Sequence, residues 1–144
     1  MDIVSQRSLA GSNQLKGRIG LVLTGLPVLF LAFDSVIKLA NIPPVIESFA
    51  RLGYPDSLAG GIGLLELLYL MLYLVPRTAV LGAILLTGFL GGAISCHVRV
   101  GDPLLSHVLF PAYVGALLWG GLFLRDARVS TLFSPRSNRA ASSL

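Results

Sequence analysis

Four apolar stretches, each close to the length of a bilayer-crossing helix, leave this chain few folds to choose from. They cover residues 19–39, 58–75, 78–98 and 105–124. A hydrocarbon core about 30 Å thick takes roughly 20 residues of helix to cross. Composition agrees: 54% of the residues are hydrophobic and 12% charged, where a soluble domain carries about a quarter charged residues. Between the stretches lie residues 40–57 and two short turns, and helices joined this closely run antiparallel. The fold class predicted is all-α, an integral membrane four-helix up-down bundle that satisfies its backbone hydrogen bonds within each helix. The domain organisation expected is a cytoplasmic N-terminal segment (1–18), a membrane domain (19–133) and a disordered tail (134–144).

Charge fixes the expected orientation. Arg7, Lys16, Arg18, Arg77, Arg125, Arg128, Arg136 and Arg139 fall on one side, and only Lys38, Arg51 and Arg99 on the other. The positive-inside rule therefore places both termini in the cytoplasm. No small-residue cleavage site follows Phe33, so the first stretch reads as a retained span and not a signal peptide. The basic residues are spread along the chain without forming a basic face, which argues against nucleic acid as a partner. A single cysteine excludes an internal disulfide framework.

The first connection has structure of its own. Pro43 and Pro44 suit the first turn of a helix and Gly53 its end. Val45, Ile46, Phe49 and Leu52 recur at helical spacing, with Glu47, Ser48 and Arg51 on the other face. This predicts a short amphipathic helix on the outer surface, with Tyr54 at headgroup level.

Ionisable residues within a span are costly and mark functional or structural sites. Asp34 and Lys38 stand one turn apart with the acid first, the favourable order. Glu66 lies eight residues into the second stretch, roughly 12 Å deep, on a face with Ala59, Ile62, Gly63, Tyr69, Leu70 and Tyr73. Leu64, Leu68, Met71 and Leu72 form the opposite, lipid-facing side. His97, Arg99, Asp102 and His107 cluster around the turn between the third and fourth stretches. The candidate ligand-binding or polar-network residues are thus Asp34, Lys38, Glu66, His97, Arg99 and His107, with Tyr69, Tyr73 and Asp102 supporting them. Lys38 or Arg99 is the expected partner of Glu66. Asp102-Pro103 also reads as a helix N-cap with proline at the first helical position, and Pro111 frees the carbonyl of His107 and predicts a kink. Two histidines without a clear third ligand do not define a metal site, so none is assigned. Gly88, Gly92 and Cys96 form a small-residue ridge suited to close helix approach, while Trp119 and Gly120-Gly121 read as packing and an interface anchor.

Three segments, FLAFDSVIKL (30–39), FARLGYPDSLAGGIGLLEL (49–67) and CHVRVGDPLLSHVLFPAYVGALLWGGLFLRDAR (96–128), resemble the DoxX-like family of small four-helix membrane proteins. In that family a lysine ends the first span and an acid sits in the second, positions that Lys38 and Glu66 match. The resemblance implies a four-span bundle of the bacterial cytoplasmic membrane with an outer polar site. It also implies association with membrane redox systems, including thiosulfate–quinone oxidoreductase subunits and oxidant-resistance complexes. It carries no catalytic residue over, and nothing in the chain matches the sulfur-handling subunits. No haem, flavin or iron–sulfur signature is present, so a quinone or similar amphiphile is the expected ligand and electrons would come from another protein. Alternative readings are a non-catalytic accessory or assembly subunit, docked to another membrane protein or a second copy, and an oligomeric proton-coupled carrier.

Overall fold

A computed structural model describes residues 3–126, 128 and 129, with side chains from residue 17 onward. The described residues form α1 (Ile3–Leu39), α2 (Pro43–Arg51), α3 (Leu58–Leu74), α4 (Ala79–Arg99), a π-helical turn (Leu104–Val108) and α5 (Phe110–Arg125). Three segments are long and apolar enough to cross a membrane: Gly17–Leu39, Ala79–Arg99 and Leu104–Arg125. α3 is an apolar helix of 17 residues, shorter than the other three. The expected tail at 134–144 lies outside the described residues.

Each long helix touches two others. α1 packs on α3 and α5, α3 on α4, and α4 on α5, while α2 rests on α3. Inside this ring Leu31, Leu70, Tyr73, Leu86, Leu118 and Leu122 form one core, and Val45, Phe49 and Ala59 form a smaller one beneath α2. Outside it, apolar side chains are left bare: Leu21 is 73% exposed, Leu64 60% and Met71 54%. An apolar surface of this extent is stable against lipid and not against water.

Two elements differ from the sequence reading. α1 does not start at residue 19 but runs back to Ile3, and Pro27 lies buried within it. The fourth stretch is a broken element and not one continuous helix. The Val108 N–H donates to the Pro103 carbonyl and the Leu109 N–H to that of Leu104, both five residues back, so the turn is wound wide. Regular helix resumes at Phe110 with Pro111 in its first turn, where a missing N–H is harmless. α2 starts on Pro43-Pro44 and ends before Gly53, whose φ of 74° suits glycine past a helix end.

Candidate functional site

The chemistry gathers at the end of the molecule covered by α2. Asp34 and Lys38 face inward from the last turns of α1. Gly63 lets α3 approach so closely that a Cβ there would lie 2.8 Å from Lys38 Cβ and 2.9 Å from the Ser35 carbonyl. That approach delivers Glu66 to the ammonium. Lys38 Nζ donates to Asp34 Oδ2 at 2.5 Å and to Glu66 Oε2 at 2.8 Å, so one cation is shared by two carboxylates. Glu66 is fully buried, and its second oxygen, Oε1, has no hydrogen-bond partner among the described residues. Lys38 Nζ also stands 5.4 Å from the centre of the Phe89 ring.

A second cluster ties α2 to the α4 turn. Asp102 accepts from Arg51 Nη1 and from His97 Nδ1, each at 2.5 Å. The hydrogen bond from His97, then that from Arg51, holds the Asp102 carboxyl below the usual carboxylate range. The His97 and His107 rings meet edge-on with centres 5.9 Å apart, and Ser106 Oγ lies 2.9 Å from His107 Nδ1. Arg99 donates to the Leu52 carbonyl and lies over the Tyr54 ring. The Tyr54 hydroxyl and the Cys96 thiol are hydrogen-bonded at 3.0 Å, which pushes the phenol above its ordinary pKa.

These groups surround a cavity of about 700 Å³. Asp34, Lys38, Glu66, Arg51, His97 and His107 supply its polar lining; Phe30, Phe49, Phe89, Phe110, Ile62 and Val114 are among its apolar walls. Gly88, Gly92 and Cys96 form one wall. A Cβ on Gly88 or Gly92 would meet nothing within 4 Å among the described residues, so this ridge of α4 is no seam between the described helices. It makes room instead. Among the described residues no three His, Cys, Asp or Glu side chains gather as a metal site.

Of the residues singled out in the sequence, five are brought to this cavity's polar lining together: Asp34, Lys38, Glu66, His97 and His107. Arg99 is not among them, because its guanidinium reaches away to α2; Lys38 is the partner of Glu66. Asp102 caps no helix, its carboxylate being taken by Arg51 and His97. Tyr69 and Tyr73 do not line the cavity. Tyr73 lies seven residues beyond Glu66, and its hydroxyl donates to the Leu118 carbonyl near the other end of the bundle. Sequence reasoning missed Arg51 and Tyr54 as site residues. Arg51 was placed on the polar face of α2, and only its 51-residue separation from Asp102, closed by the fold, reveals its partner. Tyr54 and Cys96 likewise meet only in three dimensions.

No curated protein and no solved structure matches the chain. The DoxX-like family model matches residues 22–121, which include both Lys38 and Glu66 and span about the second half of α1, all of α2 to α4 and most of α5. This membrane protein belongs to the DoxX-like family.

Proposed function

We propose that the chain is a four-span membrane subunit whose cavity binds an amphipathic molecule, a quinone or a compound of similar build, in the service of a membrane redox system. α3 is the fourth span, the four long helices run up and down, and both termini face the cytoplasm of a bacterial cell. The cavity then opens in the outer half of the membrane, and α2 lies on the outer surface above it. A partner protein supplies electrons. Asp34, Lys38, Glu66, His97 and His107 form the polar pole that holds the ligand head, and the phenylalanine walls take its apolar body.

The observation that carries this reading is a buried carboxylate oxygen, Glu66 Oε1, without a partner among the described residues and beside a large cavity with mostly apolar walls. A buried acceptor without a hydrogen bond is destabilising, and small-molecule sites combine apolar walls with a few convergent polar groups. An accessory role has one observation in its favour: Lys38 joins α1 to α3, as a structural strut would. The two readings separate on Gly92→Leu, which fills the cavity without meeting a neighbour at Cβ. The measurement is native mass spectrometry of protein released from bacterial lipid nanodiscs. A bound amphiphile or added decylbenzoquinone on the wild type, absent from folded Gly92→Leu, is the expected result. Identical spectra for the two proteins would overturn it.

A further inference from the structure

Resting on the reading of the cavity as an amphiphile site, we propose that it opens sideways into the bilayer between α3 and α4. Its ligand is then a membrane lipid whose flexible hydrocarbon chain passes out through that opening while its head stays inside.

The first argument comes from the seams of the ring. Level with the cavity, α1 is joined to α3 by Lys38 and Glu66 and by the close approach at Gly63. α1 meets α5 through Phe30 and Phe110, whose rings stand edge to face with centres 5.0 Å apart. α5 meets α4 where a Cβ on Gly115 would lie 3.6 Å from Leu90 Cδ1, and the turn ahead of α5 brings His107 to His97. α3 and α4 press together at Tyr73 and Gly82, below the cavity. Among the described residues no hydrogen bond, ion pair or ring contact joins these two helices. Above the cavity the Tyr54–Cys96 hydrogen bond crosses from the loop before α3 to α4.

The second argument is helical phase. Gly88 and Gly92 each lie two residues from Leu90, so they stand about 200° round α4 from the side chain that faces the core and α5. Leu65 lies two residues beyond Gly63, about 200° round α3 from the face that meets α1. All three point away from the packed faces of their own helices and are exposed, Leu65 to 42%. All three nevertheless line the cavity. A space walled by outward-pointing residues of two neighbouring helices reaches the surface between them.

The third argument is what lies outside. Leu64, Leu68 and Ile84, on the same two helices, are 60%, 56% and 54% exposed, a surface stable against lipid. On the outer side, α2 is tied down by Arg51 to Asp102 and by Arg99 to the Leu52 carbonyl, with Val45 and Phe49 buried beneath it. Entry from water breaks those bonds, and entry from the bilayer breaks none. Two glycines one turn apart leave a gap suited to a flexible chain, and a neighbouring helix resting on it would not reach the polar lining behind.

The test uses full-length protein in nanodiscs and decylbenzoquinone carrying a diazirine at the end of its chain. After photolysis, labelled residues are mapped by mass spectrometry, and specific label is that removed by excess unlabelled decylbenzoquinone. Specific label on Leu64, Leu65, Leu68 or residues 84–92 is the expected result. Specific label confined to α2, or to the Phe30 and Phe110 seam, overturns this inference and leaves the amphiphile reading standing. No specific label anywhere overturns both. Gly88→Leu narrows the opening and should weaken decylbenzoquinone binding about tenfold or more. Gly91→Leu is the control, since Gly91 is equally free of neighbours and does not line the cavity; it should bind as the wild type does. Equal affinities for the two variants would also overturn the sideways opening.

Discussion

The two ends of the helix ring use the same residue types for opposite purposes. At the Arg125 end, Gly82 of α4 lies so near α3 that an added Cβ would collide with the Tyr73 backbone. Tyr73 is fully buried there, its hydroxyl bonded to the Leu118 carbonyl at 2.8 Å and its own carbonyl to Arg125 at 2.9 Å. Thr24 Oγ1, buried against Gly121 at this end, has no hydrogen-bond partner among the described residues, but no cavity opens beside it and the helices close. At the α2 end, Gly88 and Gly92 of the same helix meet nothing among the described residues, a cavity opens, and Glu66 keeps an oxygen with no partner among them. A small residue in a membrane helix either admits a neighbour or leaves a void, and only the facing helix decides which.

The comparison breaks most sharply at Lys38. Lys38→Met strands Asp34 and Glu66 without their cation, and breaking a buried charge pair costs about 3–5 kcal/mol. Thermal unfolding in mild detergent should show a large drop; an unchanged midpoint would mean the two carboxylates are not held as a charged unit. Next is Gly82→Ala, which forces α3 and α4 apart at the closed end and costs about 1–3 kcal/mol. Its partner measurement is Gly92→Ala, expected to be neutral or to stabilise by roughly 0.5–1 kcal/mol because glycine is a poor helix former. Equal effects for the two would erase the distinction between the ends.

The smallest effect concerns the strap formed by α2. The Asp102 carboxyl is held below its ordinary value of 3.8, so its contribution is complete above that value and is lost as the pH falls through the folded one. Hydrogen exchange at residues 43–51, corrected for intrinsic rates, should be slow at pH 7 and pH 5 and faster below about pH 4. Asp102→Asn should show the faster exchange at every pH. A wild-type strap equally protected in acid would assign its hold to Val45 and Phe49 instead.

Much of this architecture is legible in the sequence where the physics is local. Pro43-Pro44 and Gly53 bracket α2, the one-turn spacing joins Asp34 to Lys38, and helical phase turns Glu66 inward and Leu64, Leu68 and Met71 outward. Phase gives a face but not a depth along it. Tyr73 shares the face of Glu66 yet stands about 10 Å further down the helix at 1.5 Å per residue, and so serves the other end. The fates of Arg51, Arg99 and Asp102 depend on partners about 50 residues away, which no periodicity reveals. Gly88, Gly92 and Cys96 have the spacing of a packing seam, and they form a wall because no described helix faces Gly88 and Gly92 closely.

The wide turn at Leu104–Val108 has a consequence for how the chain tolerates changes of length. It accommodates one surplus residue relative to regular winding. Deleting a single residue there would rewind the segment and swing His107 by about 100° around the axis, off its edge-on meeting with His97. The aim of this imidazole is set by the register of the chain ahead of α5, so an insertion or deletion at that corner disarms it with the histidine itself untouched.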